Sequence, residues 1–220
     1  MVETIKLDLN LAGVEGSALQ HERADAAANR RLILETAASL FEEHGVAAVT
    51  MAEIAAAAHV GKGTLYRRFD NKAELALVLM DSQTADYQNA VLARLRQFHE
   101  QSTPYLDQLD DFLDATVQFT GANLPLLCVV QAGGLLEESH QHSRPYHWQH
   151  QTISGLLERA AAAGEIDSSL DLAYLADALL APLRADLFRY QRELRGFSLA
   201  RISSGLRSLV HALSKTAQVF

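Results

Sequence analysis

The stretch that most constrains this chain is TMAEIAAAAHVGKGTLYRRFDNK, which runs from Thr50 to Lys72. Thr50 and Glu53 have the spacing of a capping box, in which each side chain accepts a hydrogen bond from a backbone amide at the start of a helix. An alanine-rich helix is expected to follow, and residues 59–61 interrupt it before a second short helix over about 62–69. The stretch therefore predicts two short helices joined by a tight turn, which is the helix-turn-helix arrangement.

The second of these helices has an apolar face and a polar face. Leu65 and Phe69 lie four positions apart, so both are expected to face a core. The opposite face carries Gly63, Thr64, Tyr66 and Arg67. A glycine inside a helix costs about 1 kcal/mol relative to alanine, and its use fits a backbone that approaches the floor of a major groove. Arginine can bind guanine, threonine can contact a thymine methyl group and tyrosine can bind a phosphate.

The segment over residues 62–72 differs in charge from the whole chain. The formal net charge is −8, which excludes a protein that coats nucleic acid by bulk charge. Lys62, Arg67, Arg68 and Lys72 nevertheless accompany a single carboxylate, Asp70. We therefore predict a DNA interface, in which Thr50 and Lys72 support phosphate contacts at helix N-termini. Its residues are Thr50, Lys62, Gly63, Thr64, Tyr66, Arg67, Arg68 and Lys72.

Three patterns extend the argument beyond the turn. They are the run ILETAASLFEEHGVAAVTMAEIA, the spacing V-x-K-G-T-L-Y-x-x-F and the closing D-N-K-A-E-L. From about Arg30 to Leu75 the chain resembles the N-terminal domain of the TetR/AcrR family of bacterial transcriptional regulators. That family commonly has glycine where His59 stands and serine where Gly61 stands. Histidine adopts a left-handed backbone more readily than most residues, so the turn is expected to survive, whereas Gly61 lacks a hydroxyl group that could cap the helix or contact a phosphate.

The rest of the sequence predicts an all-α protein. Alanine and leucine dominate, there are four prolines, and strand-like alternation is nearly absent. We expect an N-terminal three-helix helix-turn-helix head over residues 23–75 and a C-terminal helical body for ligand binding and dimerisation over residues 76–220. Residues 1–22 are predicted to be a flexible extension, with an arm that reaches DNA as the alternative. The single cysteine and the lack of an uninterrupted apolar run long enough to span a membrane predict a cytoplasmic protein.

Hydrophobic periodicity places the helices of this fold. The first is expected over about 25–44, and a long one runs from the end of the head to about 99. The body is predicted to contain helices over 105–120 and 124–139, a helix that ends at 163, one over 170–195 with a kink at Pro182, and one over 198–217. The last two carry leucine stripes that include Leu187 and Leu209. These stripes predict a homodimer interface over about 170–217, and the resemblance implies the same kind of dimer.

The resemblance also implies a small-molecule pocket in the body. Polar and aromatic residues of the body helices are candidates to line it. They are Phe112, Thr116, Phe119, Leu127, Cys128, Gln131, Tyr146 and Trp148. For each of them alone, ordinary core packing is the alternative. The sequence does not indicate which ligand, operator or genes are involved.

Two other functions compete with a DNA-binding regulator. A metal-dependent enzyme could use the histidines at 140, 142, 147 and 150, but no acidic or cysteine ligand is interleaved with them and no nucleophile motif is present. A helical interaction protein whose head no longer binds DNA is a third hypothesis. The basic and aromatic face of the second short helix argues against it. We therefore expect a non-enzymatic regulator without metal or cofactor. The resemblance implies a repressor that binds a palindromic operator as a homodimer and is released by a small molecule.

Overall fold

Helices make up nearly all of the part of the chain that the computed structural model describes, which is residues 11–133 and 144–214. The helices are α1 (Leu11–His44), α2 (Met51–Ala57), α3 (Lys62–Tyr66), α4 (Lys72–Glu100), α5 (Tyr105–Ala132), α6 (Arg144–Ala162), α7 (Leu172–Leu180), α8 (Ala185–Arg189) and α9 (Leu199–Ala212). A 3₁₀ turn, Ala181–Leu183, precedes α8, and a π turn, Tyr190–Leu194, follows it. The all-α prediction, with a helix-turn-helix head and a helical body, is confirmed.

The chain divides into two compact units, which meet in sequence between Asp70 and Asn71. The first contains α1 to α3, and its core is built from Ile33, Ala37, Phe41, Val46, Val49, Met51, Ile54, Ala55, Ala58, Leu65 and Phe69. Helix α1 ends at His44, as predicted, because Gly45 adopts a φ of +80° and donates to the Phe41 carbonyl at 2.9 Å. The predicted domain limits at residues 22 and 75 stay predictions.

Helix α1 begins at Leu11, well before the predicted start near residue 25. Residues 17–29 contain no proline and are mostly alanine, leucine, glutamate, glutamine and arginine, which favour the helix. The C-terminal part of α1 packs in the core of the first unit, and these residues let the same helix extend towards the N-terminus. Residues 1–10 of the predicted flexible extension lie outside the described part of the chain.

Helix α5 is the central element of the second unit and packs against α4, α6, α8 and α9. The prediction of two separate helices here is wrong, because α5 continues through Pro125. A proline inside a helix costs about 3 kcal/mol, but both flanks of Pro125 carry buried apolar residues, and burying one of these contributes about 1.5–3 kcal/mol. Examples are Leu113, Val117, Leu124 and Val130. By length and composition α5 could also cross a membrane, but here it is a core helix packed among others.

The helix predicted over 170–195 is interrupted at Pro182 by the 3₁₀ turn. The interruption changes which side of the following segment faces the core. Ala185 and Phe188 are buried there, whereas Leu187, which belongs to the predicted leucine stripe, is 41% exposed. In α9, Ile202, Leu206 and Val210 are buried. Leu209 on the same helix is exposed, so both segments present apolar side chains outward.

The N-terminus of α5 is capped by a residue far away in sequence. Pro104 precedes the helix and offers no side-chain hydrogen bond. Instead, the Glu165 carboxylate accepts hydrogen bonds from the amides of Tyr105 and Leu106, both at 2.9 Å. The first amides of a helix have no partner within the helix. The loop after α6 therefore supplies the acceptor that the sequence next to α5 lacks.

Candidate nucleic-acid interface and body cavity

The start of α2 has the predicted capping box. The Thr50 amide donates to Glu53 Oε2 at 2.7 Å, and the Glu53 amide donates to Thr50 Oγ1 at 3.3 Å. The Thr50 hydroxyl also donates to Glu53 Oε2 at 2.8 Å. A phosphate contact by this hydroxyl would have to replace that bond, so its predicted role in DNA binding stays a prediction.

The turn after α2 depends on His59, which has a φ of +53°. The amides on either side close the turn, because Ala58 donates to the Ile54 carbonyl at 2.9 Å and Val60 donates to the Ala55 carbonyl at 3.0 Å. Gly61 is extended, with φ −63° and ψ 142°, a conformation open to any residue. The position that favours glycine is thus residue 59, and histidine occupies it, as expected.

Helix α3 is anchored on the core of the first unit by two side chains. Leu65 and Phe69 are buried, as their spacing predicts. The Arg30 guanidinium of α1 lies 5.1 Å from the Phe69 ring centroid and covers that ring. The helix ends at Tyr66, earlier than predicted, and Phe69 follows in a turn whose amide still donates to the Leu65 carbonyl at 3.0 Å.

The opposite side of α3 is open to solvent. Lys62, Gly63, Tyr66 and Arg67 are exposed, and Thr64 and Arg68 are half-buried. Arg67 Nη2 donates to Thr64 Oγ1 at 3.3 Å, which holds the guanidinium over the helix surface. A Cβ atom on Gly63 would meet nothing within 4 Å. Intramolecular packing therefore does not require glycine there, and α3 with the turn after it brings six of the eight predicted interface residues together.

Lys72 belongs to the second unit. It is the first residue of α4 and is half-buried. Asn71 caps this helix through its Oδ1, which accepts from the Glu74 amide at 2.9 Å. The cap matches the predicted spacing, and the phosphate contact of Lys72 stays a prediction.

The second unit encloses a cavity of about 280 Å³. Its lining residues are Leu77, Met80, Thr84, Phe119, Thr120, Leu127, Val130, Gln131, Tyr146, Gln149, Leu180, Leu183, Arg184 and Ala185. Four of the eight predicted pocket residues are among them: Phe119, Leu127, Gln131 and Tyr146. Most of the lining is apolar and a few polar groups converge on it, as in sites for small molecules.

Three other predicted pocket residues pack beside the cavity. Phe112 contacts Trp148 at a centroid distance of 5.8 Å, and buried Thr116 shares a hydrogen bond of 2.7 Å with the Tyr87 hydroxyl. The Tyr87 ring stacks on Phe119 at 4.6 Å and meets Trp148 edge-on at 5.6 Å. Burial raises the pKa of Tyr87 to about 12, so it stays neutral at physiological pH. These aromatic rings form a wall behind the cavity.

The eighth residue, Cys128, turns its sulfur toward the Ala185 carbonyl, 3.9 Å away. Burial raises the pKa of this thiol, which disfavours the reactive thiolate. The lining that the sequence analysis missed comes from α4 and from the segment around Pro182. On α4 the signal was present, since Leu77, Met80 and Thr84 follow one helical face.

Of the four histidines considered for a metal site, those at 140 and 142 lie outside the described residues. His147 is exposed, and His150 lies 3.4 Å from Asp177. A different group, Asp107, Asp110 and His211, places three potential ligand atoms within 4.8 Å of one another. His211 Nε2 and Asp110 Oδ2 are 2.7 Å apart, and Arg207 lies 3.7 Å from the same carboxylate. This cluster is therefore explained as ion pairing between α5 and α9.

Comparison with known proteins gives the same picture. The model of the family described as bacterial regulatory proteins, tetR family, matches residues 33–79, which contain the capping box, the turn and α3. An HTH-type transcriptional regulator of Staphylococcus aureus (strain bovine RF122) is 27% identical over 177 residues, which cover 80% of this chain and 89% of that protein. A second such regulator, from strain USA300, matches over the same shares of the two chains.

Solved structures share the fold. FadR of Bacillus halodurans, a fatty acid degradation regulator, has a TM-score of 0.59 at 18% identity and covers 82% of this chain and 93% of its own. Thermus thermophilus FadR, a repressor solved with lauroyl-CoA, has 0.60 at 21%, covering 82% and 92%. A regulator from Saccharomonospora viridis solved with choline has 0.61 at 18%, covering 84% and 96%. Residues 33–79 are therefore a DNA-binding helix-turn-helix domain of the tetR family, and the chain is similar to HTH-type transcriptional regulators over 80% of its length.

Proposed function

We propose that this regulator is a repressor that binds a palindromic operator as a homodimer in the cytoplasm and is released by a small molecule held in the body. The observation that carries the DNA-binding part is the exposed face of α3. Gly63, Tyr66 and Arg67 face solvent while Leu65 and Phe69 fix the helix to the core behind them. A short rigid helix with a donor-rich outer face suits the major groove, where bases present distinct patterns of donors and acceptors.

Exposed apolar side chains near the C-terminus support the homodimer. Leu187, Tyr190, Leu194 and Leu209 are between 41% and 75% exposed, and all belong to α8, the π turn or α9. Apolar groups concentrated in neighbouring elements mark interaction surfaces. A two-fold interface buries the same patch on both subunits. It also pairs two recognition helices, each of which reads only a few base pairs.

We expect the double variant Leu194→Asp, Leu209→Asp to be monomeric, because each subunit would bring two carboxylates into an apolar interface. Sedimentation velocity gives the oligomeric state, and operator affinity should fall with it. Leu92→Asp is the matched control, since Leu92 is 40% exposed but lies on α4. If the double variant remained dimeric, the dimer interface would have to lie elsewhere on the protein.

The cavity supports release by a ligand. Its volume of about 280 Å³ is close to the lower end of the range for small-molecule sites, about 300–1,000 Å³. Two solved proteins of this fold hold chemically different molecules, lauroyl-CoA and choline. Release requires only that the ligand bind the DNA-free state better than the bound one, and coupling of about 1–3 kcal/mol is typical.

The experiment that tests this function is a gel-shift titration against the DNA immediately upstream of the protein's own gene, with unrelated DNA as competitor. Specific binding is expected, and its affinity should fall as salt rises because phosphate contacts release counterions. Binding no tighter than to the competitor, followed by a random-sequence selection that enriched no palindrome, would contradict the proposal.

A further inference from the structure

The charge distribution around the body cavity narrows the class of ligand. Among the described lining residues Arg184 alone carries a charge, and no carboxylate is among them. We propose that the cavity binds an amphipathic monoanion, with an apolar chain inside and a carboxylate held by Arg184 at the rim. This inference rests on the proposed ligand site and names the chemistry of its occupant.

The apolar part of the lining is elongated. On α5 the lining residues run from Phe119 to Gln131, which at 1.5 Å per residue is about 18 Å of helix. Leu77 and Met80 of α4 and Leu127 of α5 supply apolar surface along it. A volume of about 280 Å³ spread along this length of α5 leaves a narrow space. A linear chain fits that shape better than a broad ring system.

The two ends of this lining stretch of α5 differ in polarity. At one end Phe119 stacks on Tyr87, and the polar lining residues there, Thr120 and Gln149, are neutral. At the other end, Gln131 and Arg184 both interact with Asp186, which lies outside the lining. The pKa of Asp186 is lowered, first by a hydrogen bond from the Leu187 backbone and further by Gln131 and Arg184. The polar end is therefore a hydrogen-bonded arrangement and not an isolated side chain.

Arg184 retains capacity for a second anion. Its Nε lies 3.6 Å from the Asp186 carboxylate, and the two side chains are 53% and 58% exposed. Pairs this exposed contribute little, about 0–1 kcal/mol. A guanidinium has five N–H donors in a planar fork that matches a carboxylate. Its terminal nitrogens can therefore bind a ligand carboxylate while Asp186 keeps its contact with Nε.

A cationic ligand fits this lining poorly. The nearby carboxylate of Asp177 already accepts from the Tyr146 hydroxyl at 3.1 Å and lies 3.4 Å from His150, and it is not part of the lining. A cation in the cavity would meet the positive charge of Arg184 without a lining carboxylate to balance it. A neutral ligand would fill the apolar part but gain nothing from Arg184.

The test uses three probes that differ in their head group: decanoate, 1-decanol and decyltrimethylammonium. The single tryptophan, Trp148, reports binding by fluorescence because it contacts Tyr87, which stacks on the lining residue Phe119. Decanoate is expected to bind at least about tenfold more tightly than either other probe, since hydrogen bonds to charged groups are the stronger ones.

Arg184→Gln should lower decanoate affinity about tenfold or more and leave decanol affinity unchanged. Arg184→Lys should recover part of the loss, and Arg159→Gln is the control, since Arg159 is exposed on α6 and does not line the cavity. Equal binding of the three probes, no effect of Arg184→Gln, or no binding of any probe would overturn the inference. The gel-shift titration is separate: decanoate that bound through Arg184 without releasing DNA would refute ligand release and leave the ligand class standing.

Discussion

Arg67→Ala is expected to weaken specific operator binding about ten- to a hundredfold. A bidentate arginine–guanine pair contributes about 1–3 kcal/mol of discrimination against the wrong base. Arg67 is exposed on the outer face of α3, and its guanidinium donates to the Thr64 hydroxyl at 3.3 Å. Tyr66→Ala should add to the loss, because this ring is also exposed, at 49%. Gel-shift titration of single and double variants measures both effects.

Arg67→Lys separates base recognition from simple charge. Lysine keeps the positive charge but not the planar fork, so discrimination between operator and competitor should fall more than overall attraction to DNA. Arg96→Ala, an exposed cation on α4, serves as the control and should leave affinity unchanged. If the double variant Tyr66→Ala, Arg67→Ala bound the operator as tightly as the native protein, α3 would not be the helix that contacts the bases. The hypothesis that the head does not bind DNA would then regain support.

Phe69→Ala is expected to reduce the free energy of unfolding of the first unit by about 3–5 kcal/mol, the usual range for a buried phenylalanine. Phe69 is 1% exposed, and its ring is covered by Arg30. DNA binding should be lost with it, because Leu65 alone would then fix α3 to the core. Urea unfolding followed by circular dichroism gives the stability.

Tyr66→Ala is the matched control for that measurement. The two aromatic residues lie three positions apart, yet one is buried and the other is half-exposed. Tyr66→Ala should lower DNA affinity with little change in unfolding, since exposed substitutions away from special features usually change stability by less than about 0.5 kcal/mol. A Phe69→Ala protein as stable as the native one would mean that α3 is held by other contacts.

The head was predictable because its determinants are local. The capping box is a three-residue spacing and the buried face of α3 a four-residue spacing, so both can be recognised in the sequence without knowing what packs around them. His59 is a similar case, because left-handed backbone is accessible to few residue types.

The body was less predictable because its features depend on tertiary packing. Pro125 suggests a helix end, but buried neighbours on both sides keep α5 continuous. Leu187 belongs to a leucine stripe in the sequence, but the 3₁₀ turn at Pro182 changes which side faces inward. Arg184 lines the cavity only because that turn lies against α5, and no spacing in the sequence signals it.

The cap on α5 by Glu165 has a consequence for synthesis of the chain. The carboxylate and the two amides that it binds are about sixty residues apart, so the central helix of the body emerges from the ribosome long before its acceptor exists. Until then, water must satisfy the amides of Tyr105 and Leu106, and the first turn of α5 is free to fray. Domains generally fold as units as the chain is made. Completion of this one must wait for α6 and the loop that carries Glu165.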